Sequence, residues 1–266
     1  MKRLKRISIG IFLLSTALMI AFNLYERTIT DTKPPVVTCP EEVLEVSVDS
    51  SEKKLLKGVK AEDKRAGDVS DKVVIEKIGA MAEDGTRKIT YAAADPSGNV
   101  GRAERTLKYT DYKLPEFSFQ DSLRFPASEM NLDLAQNITA RSVLDGDITE
   151  NVKYQILDVQ YQGVVGKYQV EIRVTDSVGN TKTLNTIYEL YDAEKENIDV
   201  ELNQYLLYLH VNDEFDPAAY FKEASIEVDP KIESSVDTKT PGVYYVEYTV
   251  EKDKMLGKNR LTVVVE

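Results

Sequence analysis

The feature that most constrains this chain is a strand closed by a tight turn, at residues 166–180. Every second residue from Tyr168 to Val174 is apolar, and the residues between them are polar or charged. A period of two places alternate side chains on opposite faces of a strand. The turn reads Asp-Ser-Val-Gly-Asn, in which Asp176 can accept a hydrogen bond from the backbone two residues on and Gly179 tolerates a positive φ. The pattern predicts a strand with one buried face.

The same strand and turn recur in the chain. Residues 85–99 hold an upstream copy, and residues 242–259 hold a more divergent downstream copy with a longer closing turn. Asp95 and Asp176 stand 81 positions apart, and a Gly-Asp pair recurs after 79 positions. A fixed period of this length is typical of a repeat protein, in which each repeat is one structural unit.

The segments within each repeat are short. Each repeat holds about seven β-prone segments with turn signals between them, and no convincing amphipathic helix of ten or more residues. Strands that follow strands in this way favour small antiparallel sandwiches over α/β domains.

These motifs resemble the bacterial immunoglobulin-like repeats of surface and secreted proteins, which also occur as accessory modules in some pesticidal crystal toxins. The resemblance covers about residues 35–266. It implies a seven-stranded sandwich used as a spacer or an adhesive module, and it does not imply catalysis. The third copy is divergent, because it has no Gly-Asp-Ile-Thr run. The motifs that carry the resemblance lie at residues 67–70, 95–99, 146–149, 166–168, 176–180 and 236–244.

We therefore predict an all-β protein with three tandem immunoglobulin-like β-sandwich domains after an N-terminal transmembrane helix. The predicted segments are a cytoplasmic basic segment at 1–6, a transmembrane signal anchor at 7–25, a linker at 26–34, a first domain at 35–112, a second at 113–192 and a third, divergent domain at 193–266.

The N-terminus carries the signal for a membrane segment. Four of the first six residues are basic, and the 19 residues from Ile7 to Tyr25 contain no charge. A helix of this length spans about 28 Å, close to the hydrocarbon thickness of a bilayer. The positive-inside rule keeps the basic residues in the cytoplasm, so the domains are expected outside the cell. The alternative is a cleaved signal peptide and a secreted protein, although residues 22–27 offer no clean cleavage site.

The charge of the chain argues against nucleic acid as a partner. The formal net charge is −11, from 34 basic and 45 acidic residues, whereas phosphate binding needs clustered Lys and Arg. The single cysteine, Cys39, excludes an internal disulfide framework. The domains are therefore expected to be held together by their cores.

No pattern in the sequence indicates an enzyme. The one histidine, His210, has no second histidine or neighbouring cysteine with which to bind zinc. A Cys39–His210 nucleophile has no supporting motif, and the sequence contains no nucleophile elbow or phosphate-binding loop. We predict no catalytic residue.

Calcium is the one cofactor that the sequence leaves open. Calcium takes six to eight oxygens, and turns rich in Asp can supply them. The alternative is that these carboxylates bond the backbone of their own turns. The candidate ligands are Asp68 and Asp95 in the first domain, with Asp63 nearby, and Asp147 and Asp176 in the second domain, with Asp145 nearby.

Tyrosine is frequent, with 15 residues, whereas tryptophan is absent. Exposed tyrosines can stack on sugars or contact a protein partner, although tyrosines also fill the cores of sandwiches. The candidates are Tyr205, Tyr208 and Tyr245. We predict a single-pass cell-surface protein whose repeats bind a surface protein or a glycan as an adhesion module. The alternative is a spacer or envelope-structural stalk that binds nothing.

Overall fold

The computed structural model describes residues 2–82, 84–129, 132–158 and 164–266. It confirms the predicted fold class, because β-strands in three groups follow one long N-terminal helix. The chain divides into two compact units, Met1–Asp111 and Tyr112–Glu266. The first unit holds the helix and the first module, and the second unit holds two modules. The domain limits given above stay predictions.

The N-terminal helix, α1, spans Lys2–Ile29. Its segment Ile7–Glu26 has a mean hydropathy of 2.1 and is, by length and composition, able to cross a membrane. The hydroxyls of Ser15 and Thr16 donate to the carbonyl oxygen of Phe12 at 2.9 and 2.8 Å, so neither leaves an unpaired polar group on the apolar helix.

The first module is a sandwich of two sheets with strand orders β1-β3-β4 and β2-β7-β6-β5. Ile89, Tyr91 and Leu107 of the larger sheet are fully buried against Val37 and Ala61 of the smaller one. A four-residue helix, α2, spans Glu52–Leu55. The strands are β1 Val36–Thr38, β2 Val43–Val46, β3 Lys60–Asp63, β4 Gly67–Asp68, β5 Val74–Ile78, β6 Thr86–Ala94 and β7 Val100–Tyr109.

The second module repeats this arrangement, with strand orders β11-β10-β8 and β12-β13-β14-β9. Val170, Ile172 and Val174, the apolar set of the strand discussed first, are buried in its core, as the period of two predicted. The strands are β8 Glu116–Phe119, β9 Arg124–Pro126, β10 Ile138–Ser142, β11 Gly146–Asp147, β12 Lys153–Ile156, β13 Gly166–Thr175 and β14 Thr181–Tyr191.

The third module has six strands, one fewer than the other two, in the orders β15-β17 and β16-β20-β19-β18. The missing strand corresponds to β4 and β11, which are formed by the Gly-Asp pairs that the third repeat lacks. The strands are β15 Val200–Leu202, β16 Leu206–Leu209, β17 Phe221–Ala224, β18 Lys231–Ser234, β19 Gly242–Lys252 and β20 Met255–Val265.

The chain enters each module in the same way. After its first strand it moves to the other sheet and pairs in parallel with the last strand of the module, β2 with β7, β9 with β14 and β16 with β20. In the first and third modules the entering chain passes over a glycine of that last strand. A Cβ at Gly101 would lie 1.8 Å from the carbonyl oxygen of Pro35, and one at Gly257 would lie 2.3 Å from that of Ile198. Only glycine fits at these two crossings.

Candidate functional site

The two exposed candidates for calcium, Asp68 and Asp147, begin the Gly-Asp turns. The Oδ1 of Asp68 accepts a hydrogen bond from the backbone N–H of Ser70, and that of Asp147 accepts one from Thr149, both at 2.9 Å. Hydrogen bonds from the hydroxyls of Ser70 and Thr149 lower the pKa of the two carboxyls. Both side chains therefore form hydrogen bonds within their own turns.

Asp95 and Asp176 close the long strands. The Oδ1 of Asp95 accepts from the backbone N–H of Asn99 at 2.8 Å, and that of Asp176 accepts from Val178 and Asn180 at 3.1 and 2.9 Å. Both carboxylates are buried. The turn predicted from the sequence is present in both modules. The Oδ2 of Asp95 accepts from the Nδ2 of Asn99 in the same turn at 2.8 Å, whereas the Oδ2 of Asp176 accepts from a group outside its turn.

In the first module, Asp95 lies in a cluster of three carboxylates with Asp31 and Asp63. One carboxylate oxygen from each lies within 4.8 Å of the others. Asp31 belongs to the segment between α1 and β1, and its carbonyl oxygen accepts from the Nδ2 of Asn99 at 3.1 Å. Sequence reasoning missed Asp31, because nothing in its local pattern shows that the entering segment returns to the turn of Asp95.

Asp63 is the most buried member of the cluster, with 3% of its surface exposed. Its Oδ1 accepts from the backbone N–H groups of Arg65 and Ala66, both at 2.7 Å. These bonds, that from Ala66 first, hold the pKa of Asp63 below its ordinary value, although the charge of Asp95 opposes them. Its Oδ2 is buried and has no hydrogen-bond partner among the described residues.

The second module fills the same region with hydroxyl groups. Tyr112 donates from its hydroxyl to the Oδ2 of Asp176 at 2.5 Å and accepts from the Nδ2 of Asn180 at 2.7 Å. Burial, together with the bond to Asp176, raises the pKa of Tyr112 to about 12. Ser142 stands at the end of β10, where Asp63 stands at the end of β3, and its Oγ accepts from the backbone of Leu144 at 3.1 Å.

The structure places the three candidate tyrosines where the second and third modules meet. Tyr205 packs against the cores of both modules. The hydroxyl of Tyr208 accepts from the backbone N–H of Phe117 at 3.4 Å, and that of Tyr245 lies 3.3 Å from the hydroxyl of Thr186. All three are half-buried, so most of each ring packs within the protein. Their role in binding a partner stays a prediction.

The same junction contains an ion-pair network that the sequence did not reveal. Arg124 of β9 pairs with Glu196 at 2.8 Å and with Glu189 at 3.4 Å. Arg260 of β20 donates to Glu189 and, at 2.8 Å, to Glu247. The side chains of Arg124 and Arg260 are only 4% and 3% exposed.

The charges of this network support one another. Burial alone would lower the pKa of Arg124, but the carboxylates of Glu196 and Glu189 outweigh it and raise that pKa. Burial would raise the pKa of Glu247, and Arg260 reverses the shift. Arg124 and Glu247 are therefore both held in their ionised forms, and the network joins the two modules.

An open groove runs along β12, β13 and β14 of the second module. Its volume is about 520 Å³, and it is lined by charged and polar residues and one tyrosine. The neighbouring donors and acceptors on this face suit a hydroxylated or polar ligand. Residues in the lining include Glu150, Lys153, Tyr154, Glu171, Arg173 and Thr181.

The two residues considered for nucleophilic chemistry lie in different units. Cys39 is half-buried in the first module, and burial raises the pKa of its thiol. The side chain of His210 in the third module is 89% exposed and lies 3.6 Å from Asp213. The absence of enzyme activity stays a prediction.

Residues 30–109 match the family model of the HYR domain. The chain is 32% identical over 107 residues to an 81.3 kDa protein of Acholeplasma phage L2, which is 39% of this chain and 14% of that protein. It is 27% identical over 213 residues to the pesticidal crystal protein Cry22Aa of Bacillus thuringiensis, which is 73% of this chain and 27% of that protein. The chain thus spans less than a third of the length of either relative. These matches confirm the resemblance to immunoglobulin-like repeats.

Comparison with solved structures gives weaker similarities. A fragment of human CDH23, repeats EC21-23, aligns over 87% of this chain and all of that chain with a TM-score of 0.23 and 13% identity. A structure of ZmpB from Clostridium perfringens aligns over 87% of this chain and 30% of that chain with a TM-score of 0.22 and 10% identity. TM-scores at this level do not establish a common fold.

Proposed function

We propose that the chain is a membrane-anchored cell-surface protein whose immunoglobulin-like modules serve as an adhesion or binding region for a protein or a glycan. The proposal rests on the exposure of the apolar helix α1. Within the described residues, no side chain of the span Ile7–Glu26 is buried inside the protein. Twenty residues of this hydropathy are stable in a bilayer and are costly to leave in water.

The orientation follows from charge. Four basic residues precede the apolar span, and the positive-inside rule keeps them in the cytoplasm. The β-modules then lie on the outer side of the membrane. Secretion after cleavage is the alternative, and it predicts a mature chain that lacks α1.

Protease treatment of intact bacterial cells tests the anchored arrangement. With a C-terminal tag on the full chain, we expect the tag to stay with the membrane fraction after carbonate washing and to be lost when intact cells are treated with protease. Release of the chain into the medium, with a new N-terminus by mass spectrometry, would support secretion and overturn the anchor.

A paired substitution sharpens this test. Leu14→Arg places a charge at the centre of the span, which costs about 3 kcal/mol in insertion, so the variant is expected to leave the membrane fraction. Leu157→Arg makes the same change at an exposed position of the second module and is expected to localise like the wild type. Equal behaviour of the two variants would contradict the proposal.

The groove of the second module is the best candidate for the binding face. It is open, whereas the three candidate tyrosines are packed at the module junction. The side chains that line this groove include both hydrogen-bond donors and acceptors. Sugar hydroxyls and peptide amides also donate and accept hydrogen bonds, so either kind of ligand can pair with them.

Binding is tested with the full chain in lipid nanodiscs on arrays of envelope glycans and peptides. We expect saturable binding that the double variant Lys153→Ala, Arg173→Ala weakens at least tenfold. The double variant Lys77→Ala, Lys88→Ala removes the same charge from the first module and is expected to bind normally. Absence of any bound ligand would favour the spacer, which the buried ion pairs between the second and third modules also suit.

A further inference from the structure

We propose that Asp31, Asp63 and Asp95 bind one calcium ion, which ties the segment between α1 and β1 to the first module. This site is independent of what the modules bind. It differs from the sequence prediction, because it contains only Asp95 of the four candidate ligands named there, adds the nearby Asp63 and takes its third ligand from the linker.

The distances within the cluster suit calcium. Calcium–oxygen bonds are about 2.4 Å long, so two oxygens on one ion can stand at most about 4.8 Å apart. One oxygen from each of the three carboxylates meets this limit. Calcium also accepts incomplete protein shells that water completes, whereas magnesium demands shorter bonds and octahedral geometry.

The unpaired oxygen of Asp63 is an independent sign of a ligand. The residue is 3% exposed, its Oδ1 is held by two backbone N–H groups, and its Oδ2 meets no donor among the described residues. A buried carboxylate oxygen without a partner is costly. A cation at the cluster removes that cost.

The net charge of the cluster also favours a cation. The side chain of Asp31 is 10% exposed, and Asp63 and Asp95 are buried. The only ion pair that the described residues make with the cluster joins the Nε of Arg65 to Asp31 at 3.9 Å, and Arg65 is half-exposed. Three negative charges and one distant positive charge leave an excess that a divalent ion would neutralise.

The second module shows how the fold behaves when no such charge is present. Ser142 stands in place of Asp63, and the hydroxyl of Tyr112 occupies the second oxygen of Asp176. Each polar group there has a protein partner, so nothing is left for an ion. The two turns share the backbone bond from the asparagine N–H to the Oδ1 of the aspartate. They differ in the side-chain amide, which donates to Asp95 in the first module and to Tyr112 in the second.

Calorimetric titration of the chelator-treated full chain in nonionic detergent micelles tests the site, with calcium chloride as the probe. We expect one ion per chain, with a Kd between about 10 μM and 1 mM. Asp63→Asn is expected to weaken binding at least tenfold. The Oδ1 of asparagine still accepts the two backbone bonds, so the variant is expected to fold.

The matched control is Asp176→Asn, which makes the same change in the second module and is expected to leave calcium binding unchanged. Hydrogen exchange gives a second readout. Calcium is expected to slow exchange in residues 30–36 and 63–68 of the wild type, and not in Asp63→Asn. Absence of binding, equal binding by Asp63→Asn, or loss of binding in Asp176→Asn would overturn the proposal.

Discussion

The Nη2 of Arg124 lies 2.8 Å from the Oε1 of Glu196, and this pair holds the second module against the segment that leads into the third. The Nη1 of the same guanidinium donates to the carbonyl oxygen of Lys258 in β20. One side chain therefore bonds the link between the modules and a strand of the next module at the same time. Bending at this junction would break charged hydrogen bonds that water can replace only after the arginine is exposed.

Arg260→Met is expected to loosen this junction. It removes one of the two cations that pair with each of Glu189 and Glu247, leaving Arg124 at 3.4 Å from Glu189 and Lys167 at 2.9 Å from Glu247. Breaking a buried ion pair from one side costs about 3 kcal/mol. Hydrogen exchange measured by mass spectrometry should show faster exchange in β14 and β20 together. Lys88→Met, which breaks an exposed pair with Glu104, should cost less than about 1 kcal/mol. Equal effects would show that the network does not hold the modules.

Gly101→Ala and Gly257→Ala are each expected to destabilise their own module by about 1–3 kcal/mol, because the new methyl group meets a backbone carbonyl that crosses the strand. Urea denaturation followed by hydrogen exchange assigns the loss to one module. Lys182 occupies the matching place in the second module, since it pairs with Val174 as Gly101 pairs with Ala93.

The alanine variant of Lys182 is the control for these two substitutions. Because a side chain already fits at this position, Lys182→Ala loses only a partly buried ion pair with Glu266 and the contact with the ring of Tyr208. It should cost about 1 kcal/mol or less. A loss as large as that of the glycine variants would argue against the crossing as their cause.

Two substitutions around Arg105 are expected to change the free energy of unfolding by unequal amounts. Arg105 is 4% exposed, no carboxylate of the described residues pairs with it, and it donates to the hydroxyl of Tyr91 and the carbonyl oxygen of Leu55. Arg105→Met removes a buried charge and leaves Tyr91 bonded to Leu55 at 2.8 Å, so the free energy of unfolding should change by less than about 1 kcal/mol or rise.

Tyr91→Phe should instead cost about 1–3 kcal/mol, because the guanidinium then loses an acceptor in a buried site. Urea denaturation monitored by circular dichroism measures both changes in the full chain. A larger loss for Arg105→Met than for Tyr91→Phe would contradict this account of the first core.

We expect the protein to lose stability at high pH through the ionisation of Tyr112. Its pKa is raised from 10.0 to about 12, so the unfolded chain releases the phenolic proton at a lower pH than the folded chain does. The contribution of Tyr112 is complete below pH 10 and falls as the pH rises from 10 to about 12. Tyr112→Phe should show a smaller loss of unfolding free energy over this range. An unchanged pH profile would mean that Tyr112 is not held in a buried site beside Asp176.

Alternation of apolar residues was sufficient to predict the long strands and their turns, because both depend on neighbours in the sequence. The same reasoning predicted that the third repeat differs, and its missing strand follows from the missing Gly-Asp pair. The site depends on contacts over long separations and could not be predicted in this way. Asp31 and Asn99, for example, lie 68 residues apart. Tyr205 and Tyr208 also show no burial signal in the sequence, and both pack where the second and third modules meet.

The place of Asp31 has a practical consequence for fragments of this protein. A recombinant piece that starts at the Pro-Pro pair would contain every strand of the first sandwich and would still lack one of the three carboxylates and the carbonyl that Asn99 bonds. In such a piece, the segment before β1 would lack its contacts with the turn that contains Asp95 and Asn99. Expression clones should therefore begin upstream of residue 31.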